Sequence, residues 1–112
     1  MKDTMATKPF TAIIGGKKIT IRQNAYTGLF YTIRNDGKHS PVAYRIIAAQ
    51  VPSMQRLKYW RNRYGYTQSD LAEILHVSSK TIIEMWENGL RHPLKKYRQL
   101  INAELSSDIF PD

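Results

Sequence analysis

Up to Val51 the apolar positions of this chain alternate with polar ones, and after Pro52 they recur every three to four residues. The first pattern predicts strands and the second helices. Phe10-Thr11-Ala12-Ile13-Ile14 and Lys17-Lys18-Ile19-Thr20-Ile21-Arg22 flank Gly15-Gly16. A Gly-Gly pair between β-branched runs predicts a hairpin, because both turn positions accept positive φ. A second pair of runs follows. Leu29–Arg34 leads through Asn35-Asp36-Gly37, a strong turn sequence, toward Val42-Ala43-Tyr44-Arg45-Ile46-Ile47. Pro41 within that last run points to an edge strand or a late start. Residues 8–47 are therefore expected to form about four short strands, two hairpins of one small antiparallel sheet.

Beyond Pro52, Met54, Leu57, Trp60, Arg61 and Tyr64 share one face of a helix that Gly65 stops. Thr67 is expected to cap the next helix, with Asp70 in the capping-box position. Leu71, Ala72, Ile74 and Leu75 form its apolar side. Ser78 is expected to cap a third helix running to Asn88 and ending at Gly89. Pro93 suits the first turn of a fourth, with Leu94, Tyr97, Leu100, Ile101 and Leu105 on its apolar side. The tail from Ser106 to Asp112 is expected to fray. The fold class is α+β: a small N-terminal antiparallel sheet over residues 1–50, then an all-α domain of about four helices over residues 51–112.

Composition narrows the chemistry. A chain of 112 residues supports one ordinary domain or two very small ones. It has no cysteine, which excludes disulfides and thiolate metal sites and suits a reducing compartment. No apolar stretch approaches the roughly 20 residues a membrane span needs, and Met1–Pro9 lacks the apolar run of a signal peptide. A cytoplasmic protein without membrane contact is expected. His39, His76 and His92 are scattered without metal-ligand spacing. There is no Gly-rich phosphate loop and no identifiable Ser/His/Asp set, so neither an enzyme nor a cofactor is expected. The net charge of +8 favours a polyanionic partner. Its distribution is uneven: residues 1–50 hold eight Lys and Arg against two acidic residues, and residues 51–112 hold nine against seven, so the β-region is expected to add DNA-backbone contacts or to face an acidic protein, unless its charge only solvates a sheet face.

Residues 65–93 are the most specific segment. Gly65-Tyr66-Thr67-Gln68, Leu71-Ala72, Val77-Ser78, Thr81-Ile82 and Trp86-Glu87-Asn88-Gly89-Leu90-Arg91-His92-Pro93 occur in order, as two short helices around a tight turn. The segment resembles the DNA-binding domain of the phage-repressor/Cro family of helix-turn-helix regulators, over about residues 54–103. The resemblance implies a second helix that enters the DNA major groove. It assigns base reading to Ser79 and Lys80, with Thr81 beside them and Glu84 one turn on, able to accept from a cytosine amine. It implies backbone contacts from Gln68, Ser78, Asn88 and Arg91, with Gln68 also bracing the reading helix, and a partly buried structural ion pair between Arg61 and Glu87. Ala72 is small because two helices cross there, and Val77 fills the turn. Two departures stand out: His76 replaces the usual turn glycine, and the stretch from Thr81 to Trp86 is one residue longer than usual, which calls for a re-registered or bulged end to that helix.

The functional expectation is a sequence-specific regulator of transcription, a repressor or autorepressor. It would bind a palindromic operator in double-stranded DNA as a homodimer, with reading helices about 34 Å apart. The β-region or the fourth helix would supply the dimer interface. The alternative is an antitoxin or a phage-encoded inhibitor. Residues 1–50 would then bind a partner protein such as a toxin, and the helix-turn-helix would serve autoregulation. The aromatic set Tyr26, Phe30, Tyr31 and Tyr44 is read chiefly as sheet core and face rather than a stacking platform.

Overall fold

The computed structural model describes residues 8–106 and 108–111; the leaderless reading of Met1–Pro9 therefore falls largely outside the described residues. The chain divides into two compact units, Met1–Pro52 and Ser53–Asp112. The architecture is α+β, a four-stranded antiparallel sheet followed by helices.

In the first unit, β1 (Phe10–Ile14), β2 (Lys17–Gln23), β3 (Phe30–Ile33) and β4 (His39–Val42) form a meander in the order β1-β2-β3-β4. Gly15 and Gly16 take positive φ in the β1–β2 turn and Gly37 in the β3–β4 turn, as the turn chemistry requires. The register pairs Ile13 with Lys18, Arg22 with Tyr31, and Tyr31 with Pro41. Pro41 sits on an edge strand, where a missing N–H is tolerated. Side chains alternate, so Ala12, Ile21, Gln23 and Phe30 are buried on one face. Phe30 packs edge-on against Phe10 at 6.1 Å.

The run from Val42 to Ile47 departs from expectation. Only Val42 is in a strand, and α1 (Tyr44–Ile47) follows, then a 3-10 turn over Ala48–Gln50. A short apolar run does not by itself distinguish strand from helix. Here Tyr44 and Ile47, one turn apart, face the same way: Tyr44 lies 6.1 Å from the Phe30 ring, and Ile47 is fully buried. The Gln50 amide then closes onto β1, accepting from Ile13 N–H at 2.7 Å and donating to Ile13 carbonyl at 3.1 Å. It satisfies one residue of an edge that would otherwise stay open.

The second unit holds four helices: α2 (Ser53–Arg63), α3 (Gln68–Leu75), α4 (Lys80–Glu87) and α5 (Lys95–Glu104). Their core is Leu57, Leu71, Ala72, Leu75, Ile83, Trp86, Ile101 and Leu105, joined by Ile109 and Phe110 from the tail. The tail thus packs rather than frays. Asn102 grips it from α5, donating to Phe110 carbonyl at 2.6 Å and accepting from Phe110 N–H at 3.0 Å. Arg56 Nε donates to Ile109 carbonyl at 3.1 Å.

The start and inner face of α5 also differ from expectation. Leu94 is the N-cap and Pro93 precedes it, outside the first turn. Leu94 and Leu100 are exposed. The inner stripe runs through half-buried Tyr97 and buried Ile101 and Leu105, and Leu100, about 100° around the helix from Ile101, lies off it. In α2, Leu57 and Arg61 are buried as their spacing suggests, whereas Tyr64 is exposed and Gln55 and Lys58 are buried.

Candidate nucleic-acid interface

Three successive helices end in the same device. In α2, α3 and α4 the last turn closes with a 6→1 and a 5→2 backbone bond around a left-handed residue. The 6→1 bonds run from Tyr66 to Arg61, Val77 to Ala72, and Leu90 to Met85, at 3.0, 3.0 and 2.9 Å. The left-handed residues are Gly65 (φ 77), His76 (φ 58) and Gly89 (φ 75). His76 therefore occupies a glycine conformation, and this stop turns the chain from α3 into α4 within four residues, 76–79. At the other end of α3, Thr67 Oγ accepts from Asp70 N–H at 3.0 Å, and the Asp70 carboxylate accepts from Thr67 N–H at 2.9 Å. Capping box and left-handed stop together fix the length of α3, and so the point at which α4 begins.

The N-cap of α4 is Ser79, one residue beyond the expected Ser78, and its side chain makes no capping bond. Two consecutive serines offer the same cap chemistry; the backbone selects the second, which is extended at φ −162 and ψ 163. Ser78, Ser79, Lys80 and Thr81 are all exposed at the start of α4. Ile83, Trp86 and Glu87 face inward, so Thr81, Glu84 and Asn88 lie on the opposite side by helical spacing; Lys80, three residues before Ile83, is exposed as the first residue of the helix. Glu84 is half-buried, Asn88 is the exposed C-cap, and Arg91 is exposed beyond it. The exposed set therefore extends along α4 for about 12 Å. The extra residue between Thr81 and Trp86 causes no bulge: α4 is α-helical through Glu87, and Trp86 remains buried.

Behind this face lies a buried polar brace. Arg61 on α2 grips Glu87 on α4 with two bonds, Nε to Oε2 at 2.6 Å and Nη2 to Oε1 at 3.1 Å. Its remaining nitrogen, Nη1, donates to Tyr66 carbonyl at 2.8 Å. Gln68 Nε2 donates to Glu87 Oε1 at 3.1 Å, so the first residue of α3 is tied to the last of α4. The motif casts Gln68 as a brace, and Glu87 is the partner it finds here. The nearby Lys58 ammonium is pushed below its ordinary range by burial, which outweighs the opposing pull of the Glu87 carboxylate; Arg61 lowers it further and Glu84 raises it.

A short capped helix, a four-residue turn and a second helix with a polar, basic outer face define a helix-turn-helix domain. Residues 57–102 match the family model described as Helix-turn-helix. The match is consistent with the phage-repressor/Cro type and supports a DNA-binding regulator. No curated protein and no solved structure matches the chain. Among the described residues no helix is long and apolar enough to cross a membrane, and no group of three or more His, Asp or Glu is placed to hold a metal ion.

Proposed function

We propose that this chain is a sequence-specific transcriptional regulator, a repressor or autorepressor, that reads double-stranded DNA with α4. The observation that carries the reading is the first turn of α4, where Ser79, Lys80 and Thr81 stand exposed on a helix whose inner face is locked into the core. Lys80 donates to guanine O6 or N7, Ser79 and Thr81 bond to base edges within reach, and Glu84 accepts from a cytosine amine. The first amides of α4 lack a side-chain cap and face solvent at the positive end of the helix dipole, an arrangement suited to phosphate. Ser78 and the second amide hydrogen of Gln68 contact the backbone near that end, and Asn88 and Arg91 do so at the other end. Binding as a homodimer places two copies of α4 in successive major grooves of a palindromic operator.

The test is selection of bound duplexes from a random DNA pool at two salt concentrations, with the native chain and Lys80→Ala side by side. A short palindromic consensus is expected. The variant is expected to bind it about 5- to 150-fold more weakly, with relaxed preference at one position per half-site. A native chain that binds without any consensus, or a Lys80→Ala chain with unchanged preference, overturns groove reading by α4.

A further inference from the structure

Among residues 8–52 there are seven Lys and Arg and one carboxylate, Asp36. The sheet topology gathers four of those cations. In an up-and-down meander alternate turns share an end, so the β1–β2 turn and the β3–β4 turn project together. The first carries Lys17 and Lys18, paired in register with Ile14 and Ile13. The second carries Arg34 and Lys38, joined by the backbone bond from Arg34 N–H to Lys38 carbonyl at 2.8 Å. All four side chains are exposed. Arg34 meets Asp36 at 3.1 Å in a pair so exposed that water screens most of its attraction. Lys17, Lys18 and Lys38 have no ion-pair partner among the described residues.

We propose that this end of the sheet is a second DNA contact, holding the phosphate backbone of the duplex that α4 reads. The proposal rests on that reading. One feature favours a polymer over a small anion. The β2–β3 ladder extends only over Arg22–Tyr31 and Gln23–Phe30, so the two cationic tips are not bridged by backbone pairing. A single phosphate is served by one tip, whereas a backbone with a charge at every nucleotide engages both. The contact is independent of sequence, because lysines on hairpin tips neutralise phosphates without reading base edges.

The experiment uses the full chain and the Lys17→Gln/Lys18→Gln/Lys38→Gln variant, with circular dichroism to confirm folding. Binding to a 20-base-pair duplex carrying the selected consensus is measured between about 50 and 200 mM salt, and again with one strand alone. Each lysine engaged on a phosphate contributes about 0.9 to the slope of log K against log salt, or about fivefold in affinity near 0.15 M salt. The triple variant is expected to lose up to about 2.7 in slope while keeping the base preference of the native chain. An unchanged slope with the consensus intact overturns the sheet contact and leaves groove reading standing. A slope lost only on the single strand overturns it in favour of a single-strand site. A native chain that binds no duplex sinks both readings together.

Discussion

The Arg61–Glu87 pair invites a quantitative test, because it joins α2 to the last residue of α4 in a buried setting. Glu87 is 2% exposed and Arg61 7%. Replacing Arg61 with Met removes both bonds to Glu87 and the donor to Tyr66 carbonyl. It leaves a buried carboxylate whose remaining hydrogen bond comes from Gln68 at 3.1 Å. Removing one partner of such a pair costs about 3–5 kcal/mol. That is a large share of the roughly 5–15 kcal/mol that holds a small domain together. At roughly 4–8 °C per kcal/mol, the melting temperature should fall by at least about 12 °C. The double variant Arg61→Met/Glu87→Leu replaces the pair with apolar volume and should recover to within about 1 kcal/mol of the native chain. Urea unfolding followed by tryptophan fluorescence reads the relevant unit, since both tryptophans, Trp60 and Trp86, lie within it. A single variant costing under about 1 kcal/mol, or a double variant as unstable as the sum of the singles, would refute the brace.

Three further outcomes follow from the same geometry. His76→Gly removes the left-handed strain of a side chain at φ 58, worth about 1–2 kcal/mol against about 0.5–1 kcal/mol of glycine entropy; the urea midpoint should rise slightly with an unchanged slope, and a fall would show that His76 is not strained. Phe110→Ala empties a core site that is 2% exposed and should cost about 3–5 kcal/mol, whereas a frayed tail would make the substitution silent in the same unfolding curve. The Lys58 ammonium has a folded pKa below its ordinary 10.5, chiefly through burial. Near neutral pH it is protonated in both states and the burial penalty is fully present; stability then rises with pH between the folded value and 10.5 as the folded state sheds the proton first. Lys58→Met should therefore melt higher than the native chain at pH 7, with the gap closing toward pH 10; a constant gap would exclude titration of Lys58 as its cause.

What the sequence discloses and what it conceals divide along the range of the interactions. Thr67 with Asp70, Gly65, Gly89 and the Gly15-Gly16 turn are legible because each acts on backbone within five residues. His76 belongs with them: its place in the motif already demands a left-handed residue. The misreadings need distant partners. The run from Val42 to Ile47 bends into a helical turn because Ile47 and Tyr44 find the sheet face around Phe30. Leu94 and Leu100 look like core on spacing alone, but the phase of α5 is set by Ile101, Leu105 and the returning Phe110, whose backbone is gripped by Asn102 eight residues earlier. At the candidate interface the division falls the same way. Lys80 and Thr81 stand out by their place in the motif, which also casts Gln68 as a brace, whereas its partner Glu87, 19 residues on, shows only once α3 and α4 are packed. The Gln68–Glu87 bond uses one N–H of the Gln68 amide to fix the end of α4; in the proposed reading the other N–H contacts a phosphate. Under that proposal the backbone contact and the orientation of α4 rest on the same residue. A loss of DNA affinity in Gln68→Ala would exceed the value of one phosphate contact, because it also loosens the helix that reads the bases.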